Sequence, residues 1–174
     1  FGIVHFYHCF TGTEPRYAIP DGCVDMVFCC DPNHPYAEIC GTVLSPQVVL
    51  SECNTTYFGV RFLPGYNPVL GSADIMAHLV NHRIPLDDLI QDRRMLEGIW
   101  GASDFRQQIR VFMRSYMNIY RRVCPQEHQN LLVLHSSNLM IRSGGGISVE
   151  QLAEDTGYTP RYIDKCFRNE TGLS

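Results

Sequence analysis

The chain has 174 residues, 45% of them hydrophobic and 18% charged, and its 14 basic and 18 acidic side chains leave a formal net charge of −4. That length suffices for one good core, or for one domain plus a small second module. No apolar run reaches about eighteen residues, so no membrane span is expected. The opening FGIVHFYHCF lacks a basic stretch ahead of an apolar one, so a secretory leader is not expected either.

The first part of the chain reads as β. Short runs rich in Val, Ile, Phe and Tyr, near 3–9, 17–19, 24–29, 39–43, 47–50 and 57–62, are separated by turn chemistry such as IPDGC, CDPNHPY, LSPQ and LPGYNP. Several short strands at this spacing point to a barrel or sandwich rather than a parallel βαβ sheet. Beyond residue 73 the period changes. Residues 68–70 and 74–80 read as short helical pieces, and IPLDDL starts another with Asp87 and Asp88 in its first turn. SDFRQQIRVFMRSYMNIYRRV then runs without Pro or Gly, with Ser103 placed to cap it. Phe105, Ile109, Phe112, Tyr116, Ile119 and Val123 form one apolar stripe along it. Such a stripe serves equally as a face packed on the β part or as a homodimer seam through helix 104–123.

Pro125 breaks that pattern. A further helix over 126–142, with Leu131, Leu132, Leu134, Leu139 and Ile141 as candidate core, ends at the run Ser143-Gly144-Gly145-Gly146. In ISVEQLAEDTGYTPRYIDKCF, Ser148 and Gln151 have the spacing of a capping box. Gly157 supplies the positive φ that ends the first helix; Thr159 caps the next, with Pro160 at its first position. Ile163, Cys166 and Phe167 form its apolar face. Two short helices joined by a tight glycine turn are expected to make a helix-turn-helix.

Residues 147–174 resemble the first helix-turn-helix of AraC-type (AraC/XylS) transcriptional regulators. The shared pattern is Leu-Ala in the first helix, then Gly-Tyr-Thr-Pro, then a helix closing on Phe-Arg with Glu-Thr-Gly-Leu-Ser after it. YAIPDGCVDMVF and FGVRFLPG resemble the barrel-like sensor region that precedes this module in one branch of that family. The resemblance implies an α+β protein: a cupin-like β-barrel or sandwich with trailing helices over 1–124, then half of a DNA-binding domain over 126–174. It also implies a second helix-turn-helix, joined through a long linker helix that would begin near Gly172-Leu173-Ser174.

The implied function is a cytoplasmic, non-catalytic, sequence-specific DNA-binding regulator whose N-terminal domain senses a small effector, with no cofactor or metal. On the second helix, Arg161 and Lys165 lie one turn apart and are suited to guanine edges. Asp164 can accept from cytosine or pair with Arg168. Thr159 and Arg168 are placed for phosphates, and Tyr162 lies on the same outward side. Lys165 is the only lysine in the protein. Four basic against six acidic residues over 126–174 make a weak electrostatic footprint for double-stranded operator DNA. For the effector, the inward aromatics Phe28, Tyr57, Phe58 and Phe62 are candidate pocket walls. Arg61 should point opposite to its neighbours, toward an anionic ligand or toward Asp21 or Asp25.

The alternatives are a non-DNA-binding cupin-like ligand-binding protein and a cysteine-based redox or metal sensor. Eight cysteines are present (Cys9, Cys23, Cys29, Cys30, Cys40, Cys53, Cys124 and Cys166), without a C-x-x-C motif. Reduced thiols are expected, several of them as small buried hydrophobes. No His-x-His occurs among His5, His8 and His34, which disfavours a metal-dependent barrel enzyme.

Overall fold

The computed structural model describes residues 2–49, 51–69, 75–90, 92–123 and 131–172. Among the described residues seven strands, β1 (Ile3–Phe10), β2 (Arg16–Ala18), β3 (Val24–Cys29), β4 (Tyr36–Cys40), β5 (Gln47–Val49), β6 (Thr56–Phe62) and β7 (Arg83–Pro85), interleave with and precede six helices. These are α1 (Ile75–Leu79), α2 (Arg93–Trp100), α3 (Phe105–Val123), α4 (Leu131–Arg142), α5 (Val149–Thr156) and α6 (Pro160–Thr171), with a 3₁₀ turn at Leu86–Asp88. The class is α+β, as expected.

The expected cupin-like barrel does not form. Five strands make an open sheet in the order β1-β6-β3-β4-β7, all pairs antiparallel, and β2 and β5 pair with each other as a separate ribbon. Because β2 and β5 satisfy each other, neither bridges the edge strands β1 and β7 to close the sheet. The apolar face is covered by helices instead.

Period-2 alternation divides the sheet sharply. Val24, Met26 and Phe28 of β3, Phe58, Val60 and Phe62 of β6, and Ile39 of β4 are buried on one face with Met95, Leu96 and Ile99 of α2 and Phe112 and Tyr116 of α3. Phe112 sits edge-on to Phe6, Phe28 and Phe58 and stacks on Tyr116 at 5.2 Å. Phe112 and Tyr116 of the α3 stripe are thus buried within the chain, with Phe105, Ile109 and Ile119 partly buried against the same core. Its N-terminus is capped one residue later than expected: Asp104 Oδ1 accepts from Gln107 N at 2.8 Å.

Two elements differ from the sequence reading. IPLDDL begins as strand, since Ile84 pairs with Ile39, before the 3₁₀ turn. α2, capped by Asp92, was not anticipated. In α4 the buried side chains are Val133, Ser136 and Ser137, while Leu131 and Ile141 are exposed. Of the expected core residues Leu132, Leu134 and Leu139 are half-buried, so the leucine face is only partly formed and Leu131 and Ile141 do not belong to it. The expected boundary at 124–125, the start of that helix at 126 and the close at 173–174 lie outside the described residues, as do Cys124, the 70 end of the 68–70 piece and residue 74 of the 74–80 piece.

Candidate functional site

The second face of the sheet carries the chemistry. Tyr7, Asp25, Glu38, Cys40, Tyr57 and Arg61 alternate with the core residues and line a cavity of about 670 Å³ roofed by the β2–β5 ribbon. Arg61 forms its central fixture. Its Nε and Nη2 donate to both oxygens of Asp25 at 3.1 and 2.8 Å, and Nη1 donates to Asp21 at 2.8 Å. This planar fork on one carboxylate is a geometry that Lys cannot reproduce. Arg83 donates to Glu38 at 2.9 Å nearby. At another wall the hydroxyls of Tyr36 and Tyr57 lie 3.2 Å apart, and Tyr57 Oη accepts from Glu52 N at 3.0 Å.

Gly59, opposite Tyr7 across the β1–β6 pair, permits the floor of this cavity. A Cβ there would enter the Tyr7 ring, so only glycine lets the ring lie across β6. Burial, and then the charge of Asp25, holds the Tyr7 hydroxyl far above its usual range. Burial beside Asp21 pushes the Cys23 thiol up to about 11, and burial with Glu38 adjacent raises Cys40 further. Both thiols are therefore protonated, weak nucleophiles at neutral pH. The Arg16 guanidinium of the ribbon contacts Cys9 Sγ. Among the described residues no group of three or more His, Cys, Asp or Glu is arranged to hold a metal ion.

The five ligand candidates fall on opposite sides of the sheet. Tyr57 and Arg61 line the cavity, whereas Phe28, Phe58 and Phe62 are wholly buried in the core against the helices. Arg61 does point opposite to Val60 and Phe62 and pairs with both Asp21 and Asp25. Sequence reasoning passed over Tyr7, Glu38 and Arg83, and named Cys40 only among the cysteines of the sensor alternative. The polar alternates of β1 and β4 were the available signal.

The C-terminal helices form a second candidate surface. The Ser148–Gln151 capping box has both of its hydrogen bonds, at 2.8 and 3.2 Å. Gly157 adopts φ 72°, and Thr159 Oγ1 accepts from Tyr162 N at 3.3 Å with Pro160 at the first helical position. Leu152 of α5 is buried, as are Ile163 and Cys166 of α6. This leaves Thr159, Arg161, Tyr162, Lys165 and Arg168 exposed, with Asp164 half-buried. Asp164 accepts from Arg168 Nη2 at 3.0 Å, a pair one turn apart, and Tyr162 stacks on Tyr158.

These helices are seated on the sheet domain at two close contacts. Gly172 lies against the backbone of α1 at Met76 and Ala77, and Gly65 lies beside Val133 and Ser137 of α4 and Thr171 of α6. The small side chain of Ser137 admits the loop that carries Gly65.

Residues 3–85 match the model of a family described as "Domain of unknown function (DUF6597)". The match runs from the first residue of β1 to the last of β7, the whole sheet with its ribbon and cavity, and stops before α2. No curated protein and no solved structure matches this chain. The expected AraC-family assignment, with its helix-turn-helix and cupin-like barrel, is corrected accordingly: the matching family is one of unknown function, its match ends far ahead of α5 and α6, and the sheet is open. Among the described residues no helix is long and apolar enough to cross a membrane.

Proposed function

We propose that the protein is a DNA-binding regulator whose sheet domain holds a small polar effector in the cavity under the β2–β5 ribbon. The observation that carries this reading is the outer face of α6. Arg161 and Lys165 are exposed one turn apart near the N-terminal end of a doubly capped helix. Such a helix end can present donors to guanine O6 and N7, while Thr159 and the free helical N–H groups meet phosphates. Asp164 holds Arg168 along the helix and orients it toward the backbone rather than the bases. The cavity supports the sensing half of the reading, because its charged groups sit on a rigid sheet under a ribbon of only three-residue strands. No catalytic residue enters this reading.

The test is fluorescence anisotropy on duplexes selected from a random pool, with the Arg161→Ala/Lys165→Ala variant alongside. Loss of two base-reading side chains should weaken the selected duplex by roughly tenfold or more while sparing random duplex, since each good contact discriminates by ~1–3 kcal/mol. Unchanged affinity and selectivity in the variant would defeat the assignment of α6 as the reading element.

A further inference from the structure

Half of the basic residues of this acidic chain lie on α2 and α3 rather than on α6. Residues 92–123 contain seven arginines against three acidic residues, in a protein whose formal net charge is −4. Five of them, Arg93, Arg94, Arg110, Arg114 and Arg122, line one groove of about 1240 Å³ between α2 and α3. All five are exposed, and none forms an ion pair among the described residues. The one carboxylate in the lining, Asp92, is turned to the start of α2, where it accepts from Met95 N at 3.2 Å. Like charges converging on a concavity repel one another, and a bound anion is what relieves them.

We infer that the α2–α3 groove is a binding site for a small ligand carrying a chain of phosphate groups, of the nucleoside polyphosphate class. Arg110 and Arg114 lie one turn apart on α3, ~6 Å along the helical rise, and Arg122 lines the same groove two turns further on. A one-turn spacing of guanidinium forks suits the linked phosphates of one chain better than a single carboxylate, and Arg122 extends the positive lining beyond them. Gln107, Ser115 and Asn118 add neutral donors between the arginines. Half-buried Leu89 and Ile119, over buried Pro68 and Ile90, add apolar lining for the organic part of the ligand. The shape excludes a duplex: packed helices stand ~8–10 Å apart, and a concave slot between them cannot seat a double helix, whose own grooves receive protein helices rather than the reverse.

The test is calorimetric titration of the whole chain with ATP, inorganic tripolyphosphate and adenosine. It compares the natural protein with Arg110→Gln/Arg114→Gln in the groove and with Arg106→Gln/Arg121→Gln, which removes the same charge from α3 outside it. ATP and tripolyphosphate should bind at one site per chain and adenosine should not. The groove variant should lose roughly tenfold or more in affinity, with the outside variant within about twofold of the natural protein. Equal weakening in both variants would reduce the effect to diffuse screening and overturn the site. So would an absence of polyphosphate binding at millimolar concentration in a folded protein, or a groove variant that changes duplex affinity alone.

Discussion

Replacing Arg61 by Met keeps the length of the stem and removes the guanidinium that joins Asp21 to Asp25. Three charge-assisted hydrogen bonds disappear, and each such bond contributes ~1.5–3 kcal/mol net when well shielded. Shielding here is partial: the side chains of Arg61, Asp21 and Asp25 are 34%, 27% and 14% exposed. The group lies between an exposed pair, which contributes ~0–1 kcal/mol, and a buried pair, whose breaking costs ~3–5. Water can reach Asp21 once Arg61 is gone, whereas Asp25 stays largely dry under the ribbon. The expected cost is thus about 2–3 kcal/mol, or ~5–10 °C in melting temperature for a chain of this size. Urea denaturation followed by far-ultraviolet circular dichroism measures it. Asp25→Asn should cost less, since it keeps the shape and one acceptor, and the double variant should fall short of additivity by about 1 kcal/mol. Additive costs, or an Arg61→Met variant within about 0.5 kcal/mol of the natural protein, would refute the claim that this triad holds the cavity floor together.

Phe112→Ala empties the centre of the aromatic cluster and should cost ~3–5 kcal/mol by thermal or urea unfolding while leaving the solution mass unchanged; a change of oligomeric state with unaltered stability would mean that α3 serves as a seam. Gly59→Ala forces a methyl into the Tyr7 ring and should cost ~1–3 kcal/mol, with Tyr7→Ala/Gly59→Ala recovering part of the methyl's share. The Cys23 thiol, raised from 9.0 to about 11 in the folded protein, keeps its proton where the unfolded chain has released it. Its stabilising contribution is therefore complete below pH 9.0 and lost as pH climbs toward about 11, so the alkaline fall in stability should be shallower in Cys23→Ser. An unchanged alkaline slope in that variant would exclude Cys23 as its source.

Local chemistry was legible in the sequence, and choices between faces were not. Ser148, Gln151, Gly157, Thr159 and Pro160 announce their caps and turn because each acts within four residues of itself. The alternation in TYFGVRF likewise announced that Arg61 opposes Val60 and Phe62. Which face of β6 would be packed depends on α2 and α3 arriving from later in the chain. Phe28, Phe58 and Phe62 therefore read as possible cavity walls, although they lie under helices. β7 was concealed by IPLDDL, whose acidic turn mimics a helix start, while its strand exists only because β4 offers an edge. In α4 the leucines drew attention away from Ser136 and Ser137, both buried, the latter because a neighbouring backbone needs the room. The barrel failed for a non-local reason as well, since β2 and β5 found each other.

The segment from Leu63 to Val69 ties these parts into one object. Leu63 N donates to Gly2 O at 2.6 Å, beside the start of β1, and Tyr66 stacks on Phe62 at the end of β6. Gly65, at φ 76°, passes between α4 and α6. Three residues on, the Pro68 carbonyl accepts from Tyr116 Oη of α3 at 3.2 Å, and Pro68 itself forms part of the arginine groove. A ligand that tilts α3 or shifts β6 therefore acts on the same few residues that seat the C-terminal helices. Coupling between a bound anion and α6 requires that this segment have two arrangements which the ligand distinguishes, because equal affinity for both shifts nothing. The positive φ of Gly65 and its tight fit, with an added Cβ only 3.1 Å from Ser137 Oγ, mark the point where two such arrangements would have to differ. A rigid seat there would leave the two cavities and the α6 surface as independent sites on one scaffold.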